Sequence, residues 1–246
     1  MPDLVVTPAA RTPAEDTAAA AAPATPAPAP GRLYRLLARV FYEGAVRPAT
    51  WALWRWNRGR LTGTLPAGSF VLVANHGSDF DWMLLDALAR DRFGRAVRFV
   101  ANLKVNQNAL WRLLIRERQA ILVDYRAARR AAVAMYRLLR DQAPDEARVL
   151  GVFPEGTRTR TGHMNPPSRG AAWVARKAGV PLVPVALCGP FELWPPQRRW
   201  PTLRRVGLAV HVLAPLDPSE FPDDQQLIEE AMRRVAEVVE AERGAR

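Results

Sequence analysis

The sequence predicts an α/β protein: a mainly parallel, mixed sheet covered by helices on both faces and preceded by amphipathic N-terminal helices. Three observations carry that expectation. Beyond Leu61, short apolar runs alternate with longer stretches of helical spacing. The runs are as short and apolar as strands buried on both faces, Ser69 to Ala74 behind Gly68 being the clearest. With 246 residues and 49% hydrophobic content, the chain can bury one sizeable core without a second large domain.

The elements follow in order. Residues 1–31 are mostly Ala and Pro, cannot bury a core, and are expected to be disordered or extended. Residues 32–60 form a separate amphipathic segment. In it Leu33, Leu36, Leu37, Val40 and Phe41 make one apolar stripe, with Arg32, Arg35 and Arg39 off it. After Pro48, Trp51, Trp54 and Trp56 lie among Arg55, Arg58 and Arg60, a mixture suited to a lipid headgroup region. Two helices packed on the domain would explain the same pattern. Residues 61–246 hold strands near 69–74, 97–101, 119–123, 148–153, 181–187 and 205–213, and helices near 79–92, 106–115, 126–141, 168–178 and 224–242.

The formal net charge is +11. The first 31 residues carry Arg11 against Asp3, Glu15 and Asp16, so the remainder carries +13. Such a body suits an anionic membrane, phosphorylated substrates or nucleic acid. No helix-turn-helix, zinc-finger or RNA-binding signature supports the last, so no nucleic-acid partner is expected. The single cysteine, Cys188, sits in an apolar run and reads as core. His163 and His211 lack partners at ligand spacing, so no metal is expected. No stretch reaches the roughly 20 apolar residues of a membrane span, and the N-terminus lacks the basic-then-apolar order of a secretory signal. The chain is therefore expected at the cytoplasmic face of the membrane, peripheral or monotopic.

Two blocks carry the chemistry. Asn75-His76-Gly77-Ser78-Asp79-Phe80-Asp81 spans a strand-to-helix turn. If His76 precedes the helix and Asp81 lies in its first turn, the carboxylate can fix one ring nitrogen and leave the other as a base. Ser78-x-x-Asp81 also fits a capping box, which explains Ser78 and Asp81 but not His76. Asp79 is expected to stabilise the helix N-terminus. In Phe153-Pro154-Glu155-Gly156-Thr157-Arg158, after another strand, Gly156 permits close backbone approach and Arg158 offers a planar fork for phosphate. Glu155 suits either holding that arginine or meeting a substrate hydroxyl.

Together the blocks resemble the 1-acylglycerol-3-phosphate acyltransferase family. Asn75, His76 and Asp81 match its first motif, Phe153 to Arg158 its third, and Val180-Pro181-Leu182-Val183-Pro184-Val185 its fourth, so the likeness covers about residues 35 to 215. The second motif departs, because Tyr125 separates Asp124 from Arg126. Ser168-Arg169-Gly170 stands where the family tends to have Lys-Gly.

The resemblance implies that His76, oriented by Asp81, deprotonates the free hydroxyl of a lysophospholipid as it attacks an acyl thioester. It implies that Glu155, Gly156, Thr157 and Arg158, with Arg126, seat the glycerol phosphate. The acyl group comes from acyl-CoA or acyl-carrier protein as co-substrate, with no further cofactor. Backbone N–H groups near Ser78 would serve the oxyanion. The expected acceptor is 1-acylglycerol-3-phosphate, giving phosphatidic acid. A second reading keeps the chemistry on another lysolipid such as a lyso-ornithine lipid, and a third makes the chain a non-catalytic membrane-binding scaffold.

Overall fold

The computed structural model describes residues 31–102, 120–123, 128–140 and 147–245. The Ala/Pro tail up to Pro30, the expected helix at 106–115, Tyr125 and Arg126 lie outside the described residues.

Seven strands form one sheet: β1 (Arg60–Thr62), β2 (Phe70–Ala74), β3 (Val97–Asn102), β4 (Ile121–Val123), β5 (Val149–Val152), β6 (Leu182–Cys188) and β7 (Ala209–Val212). Their spatial order is β1-β7-β6-β2-β5-β3-β4, and every pairing is parallel except β6 with β7. The mainly parallel mixed sheet is therefore present. The expected strand at 205–213 begins only at Ala209, and β1 was not anticipated because three residues carry no readable period.

Side chains along the central strands alternate between two cores, which is why their sequences read as unbroken apolar runs. Phe70, Leu72 and Ala74 of β2 join Val183, Val185 and Leu187 of β6 on one face. Val71 and Val73 join Leu182, Ala186 and Cys188 on the other, so Cys188 is core as expected. The first face is covered by α2 (Arg47–Trp56) and α3 (Phe80–Phe93). The second is covered by α4 (Ala128–Arg140), α5 (Gly170–Ala178) and α7 (Asp224–Gly244), and a short α6 (Pro190–Leu193) follows β6. Of the fourth motif, Leu182–Val185 lie in β6, which is buried throughout, while Val180 and Pro181 precede the strand and are half-buried.

The amphipathic segment is one helical run rather than two separate helices. α1 (Arg32–Phe41) passes through a π turn at Tyr42–Val46 directly into α2, with helical dihedrals at each junction. Pro48 explains the turn: it has no N–H to give one turn back, and a wider turn just before it absorbs the mismatch. The π turn buries Tyr42, whose hydroxyl donates to the buried carboxylate of Asp86 on α3. Of the three tryptophans expected at a headgroup surface, Trp54 is core and Trp51 packs against it while donating to Asp91 at 2.6 Å. Trp56 is half exposed. Among the described residues no helix is long and apolar enough to cross a membrane.

Candidate active site

β6, β2 and β5 lie side by side, and β2 is parallel to both its neighbours, so the segments leaving their C-terminal ends converge. Open α/β sheets commonly place sites there. Val73 is in register with Val152, which brings His76 and Glu155 together although 79 residues separate them. A cleft of roughly 250 Å³ opens between these loops, with Asn75, His76, Gly77 and Glu155 on one side and Gly189–Glu192 on another. Residues of α7, among them Val239 and Arg243, close a third side.

His76 Nδ1 lies 2.9 Å from Asp81 Oδ2, and the carboxylate is almost fully buried. The same oxygen accepts the backbone N–H groups of Gly77 and Ser78, each at 2.8 Å. With Nδ1 held by a carboxylate, Nε2 is the nitrogen left for a substrate proton. The contact a base and its orienter would need and one half of a capping box are therefore both present. Asp81 accepts the Ser78 N–H, one half of a capping box, but Ser78 Oγ accepts from the Phe80 N–H at 3.1 Å rather than from Asp81 N–H, and donates to the Trp194 carbonyl at 2.6 Å. The N–H groups of Gly77 and Ser78 are thus committed to Asp81, not open toward an oxyanion.

Both backbone groups of His76 are bound by the loop after β5. Its N–H donates to Glu155 Oε1 at 2.8 Å, and its carbonyl accepts from Thr159 N–H at 2.9 Å. Glu155 Oε2 accepts the Asn165 N–H at 2.7 Å, so each oxygen of this buried carboxylate clamps one backbone strand of the site. Burial pushes the Glu155 carboxyl above its usual range, and the N–H donors of Asn165 and His76 oppose the shift. The Phe153 ring stacks on the imidazole, with centroids 4.1 Å apart and planes 15° apart, and Phe99 stacks behind it.

Gly156 is exposed at φ +68°, a conformation that favours glycine, and closes a turn by donating to the Phe153 carbonyl. Thr157 beside it is exposed. Arg158 is half-buried and pairs through Nη1 with Asp79 rather than Glu155. Asp79 occupies the N-cap position of α3 by backbone, yet its side chain makes no cap there and reaches Arg158 instead. Burial raises the Asp79 carboxyl, against the opposing charges of Arg158 and His76. Arg169 is exposed at the N-cap of α5.

Three features of the site had no expectation attached. Asn75 uses both ends of its amide on the Leu187 backbone, donating to the carbonyl at 2.9 Å and accepting the N–H at 2.8 Å. This side chain extends the pairing of β2 with β6 beyond Ala74. Phe191 closes against Gly77, where an added Cβ would lie 3.0 Å from the Phe191 Cβ. Arg243, near the C-terminal end of α7, donates to the Gly162 carbonyl at 2.5 Å. Asn75 was visible as a motif residue, but its partner is more than a hundred positions away. His163 lies on the cleft wall and is exposed.

The sequence profile of the family described as Acyltransferase matches residues 59–188, which include both motif blocks and the strands that carry them. The chain belongs to this acyltransferase family. A probable 1-acyl-sn-glycerol-3-phosphate acyltransferase of Mycoplasma pneumoniae is 24% identical over 181 residues, covering 70% of this chain and 67% of that protein. The 1-acyl-sn-glycerol-3-phosphate acyltransferase alpha of Bos taurus is 30% identical over 175 residues, covering 68% of this chain and 56% of its own. The chain thus spans between about half and two thirds of these curated relatives. The crystal structure of the 1-acyl-sn-glycerophosphate acyltransferase PlsC from Thermotoga maritima superposes with a TM-score of 0.64 at 24% identity, over 87% of this chain and 95% of that one. At that identity the likeness to PlsC is one of fold, and the acyltransferase sheet and helices described above share it.

Proposed function

We propose that this acyltransferase moves a fatty acyl group from a thioester of CoA or acyl-carrier protein to the free hydroxyl of 1-acylglycerol-3-phosphate, giving phosphatidic acid. The observation that carries this reading is the His76–Asp81 pair at the edge of a cleft, with Asp81 buried and held by two further backbone donors. The names of the relatives from Mycoplasma pneumoniae and Bos taurus support the choice of acceptor.

In the proposed step the acceptor oxygen bonds to the thioester carbonyl carbon while its proton passes to His76 Nε2. The adduct then expels the thiolate, which takes that proton back. One C–O and one S–H bond form, one C–S and one O–H bond break, and no acyl-enzyme is needed. Asp81 holds Nδ1 and stabilises the transient imidazolium. Arg158 supplies the phosphate site, since its remaining N–H groups have no partner among the described residues. Gly156 and Thr157 lie exposed beside it, Arg126 is an added candidate, and Glu155 positions the His76 backbone.

The same reading puts the enzyme on the cytoplasmic face of an anionic membrane, peripheral or monotopic. Leu33, Leu36, Leu37 and Val40 are each more than half exposed on α1, with Arg39 in its last turn. An apolar helical stripe flanked by arginines suits the headgroup boundary. The test is turnover of purified protein with acyl-CoA and 1-acylglycerol-3-phosphate, repeated with His76→Ala and with a panel of other lysolipids. Loss of product in the variant supports the base assignment, and undiminished turnover removes it. Turnover confined to a lyso-ornithine lipid moves the acceptor. Vesicle binding with no product from any acceptor makes the chain a scaffold.

A further inference from the structure

The segment after β6 begins at the cleft and ends at a surface with no role in the proposed chemistry. Ser78 Oγ bonds the Trp194 carbonyl beside the catalytic turn. A few residues later the chain carries Trp200 and Leu203 at 70% and 88% exposure. These are not loose ends. Thr202 N–H donates to the Leu193 carbonyl at 2.8 Å, the Trp194 indole to the Arg198 carbonyl at 3.1 Å, and Val206 N–H to Asn57 Oδ1 at 2.9 Å. Pro195, Pro196 and Pro201 restrict the backbone further. A loop anchored at both ends holds two large apolar side chains in water.

Its surroundings are cationic without compensation. Arg198, Arg199, Arg204 and Arg205 are exposed, and none has a carboxylate partner among the described residues. The loop docks on the end of α2, where the Trp56 indole donates to the Leu203 carbonyl at 3.2 Å and the Arg205 guanidinium lies 4.6 Å from the Trp56 ring centroid. Beside it, a concavity of roughly 540 Å³ is bordered by Arg58, Arg60 and Arg205, of which Arg60 is paired with Glu242. No acidic residue occurs from Arg47 to Ser78 or from Leu193 to Leu216.

We propose that the Trp194–Val206 loop and the end of α2 form a second docking surface, whose occupant is the headgroup layer of an anionic bilayer. Trp200 and Leu203 insert at the boundary of the acyl chains, and the arginines engage lipid phosphates. Tryptophan among unpaired arginines favours this occupant over an acidic protein, which would not require protruding apolar side chains. The loop is continuous with the cleft wall, so its docking would fix the distance between bilayer and His76. This inference rests on the lipid substrate proposed above.

The test is co-sedimentation of the full chain with phosphatidylcholine vesicles, with and without phosphatidylglycerol. Trp200→Ser/Leu203→Ser should weaken partitioning about tenfold or more. Replacing Arg198, Arg199, Arg204 and Arg205 by Gln should weaken binding to anionic vesicles by about fivefold per arginine in contact and flatten its salt dependence. Unchanged thermal unfolding shows that the variants fold. Turnover of a short-chain, monomeric lysolipid should be unaffected. Partitioning equal to wild type in both variants overturns the proposal. So does loss of binding to an acidic acyl-carrier protein while vesicle binding persists. Vesicle binding is read without turnover, so a chain that binds through this loop but acylates nothing sinks the activity and leaves the surface standing.

Discussion

The turn that carries His76 and the N-terminal helix lie at opposite extremes of how this molecule treats its side chains. Around His76, polar groups are bound from several directions: Asp81 Oδ2 takes three donors, Glu155 takes two backbone N–H groups, and Asn75 binds the Leu187 backbone twice. Along α1, Leu33, Leu36, Leu37, Val40 and Phe41 project into solvent. A base must be held to a fraction of an ångström, and a buried network with every member satisfied can do that. A surface that meets fluid lipid needs only apolar area and charge, which individual contacts do not have to fix.

The largest effect should come from breaking the polar side of this contrast. Asp81→Asn leaves an oxygen to accept some of the three donors but removes the charge facing His76, and kcat should fall by about 10² to 10⁴ with little change in KM. Steady-state kinetics on folded protein checks this, and near-normal kcat would mean that Asp81 serves only as a cap. Glu155→Ala orphans the His76 and Asn165 N–H groups, and denaturant unfolding should show a loss of about 2 to 4 kcal/mol, discounted from two partly buried donors.

Glu155 also sharpens the contrast through pH. Its folded pKa is raised by burial above the ordinary 4.5, so its contribution to stability is complete below that value and lost as pH rises through the raised one. Glu155→Gln should flatten that limb in unfolding measured against pH, and an unchanged profile would remove Glu155 as its source. Tyr42→Phe should cost about 1 to 2 kcal/mol in thermal unfolding, because Asp86 loses a donor in a buried site. Smallest in stability, and informative for that reason, is Leu36→Ser/Leu37→Ser on α1. It should alter the melting temperature little while cutting vesicle binding about tenfold or more, whereas equal loss of both would place the stripe in the fold.

What could be read in advance divides along the same line. The sheet was legible because its central strands are continuous apolar runs, and β1 was not because three residues show no period. His76 and Asp81 were legible because five positions across a strand-helix boundary form a local unit. The destination of Arg158 was not: Glu155 lay nearer in sequence, and the fold brought Asp79 instead. The same holds for Asn75 with Leu187 and for Arg243 with Gly162, whose partners depend on strand order and on where α7 ends. Three tryptophans among arginines suggested one surface, but helical spacing places Trp54 on the core side and leaves Trp56 half exposed.

The central claim is that Asp81 holds His76 in the tautomer that frees Nε2. With three histidines in the chain, nitrogen-15 NMR of His76 can be assigned by substituting His163 and His211. The neutral ring should carry its proton on Nδ1 in the native protein and lose that preference in Asp81→Asn. A neutral His76 protonated on Nε2 in the native protein would contradict the account.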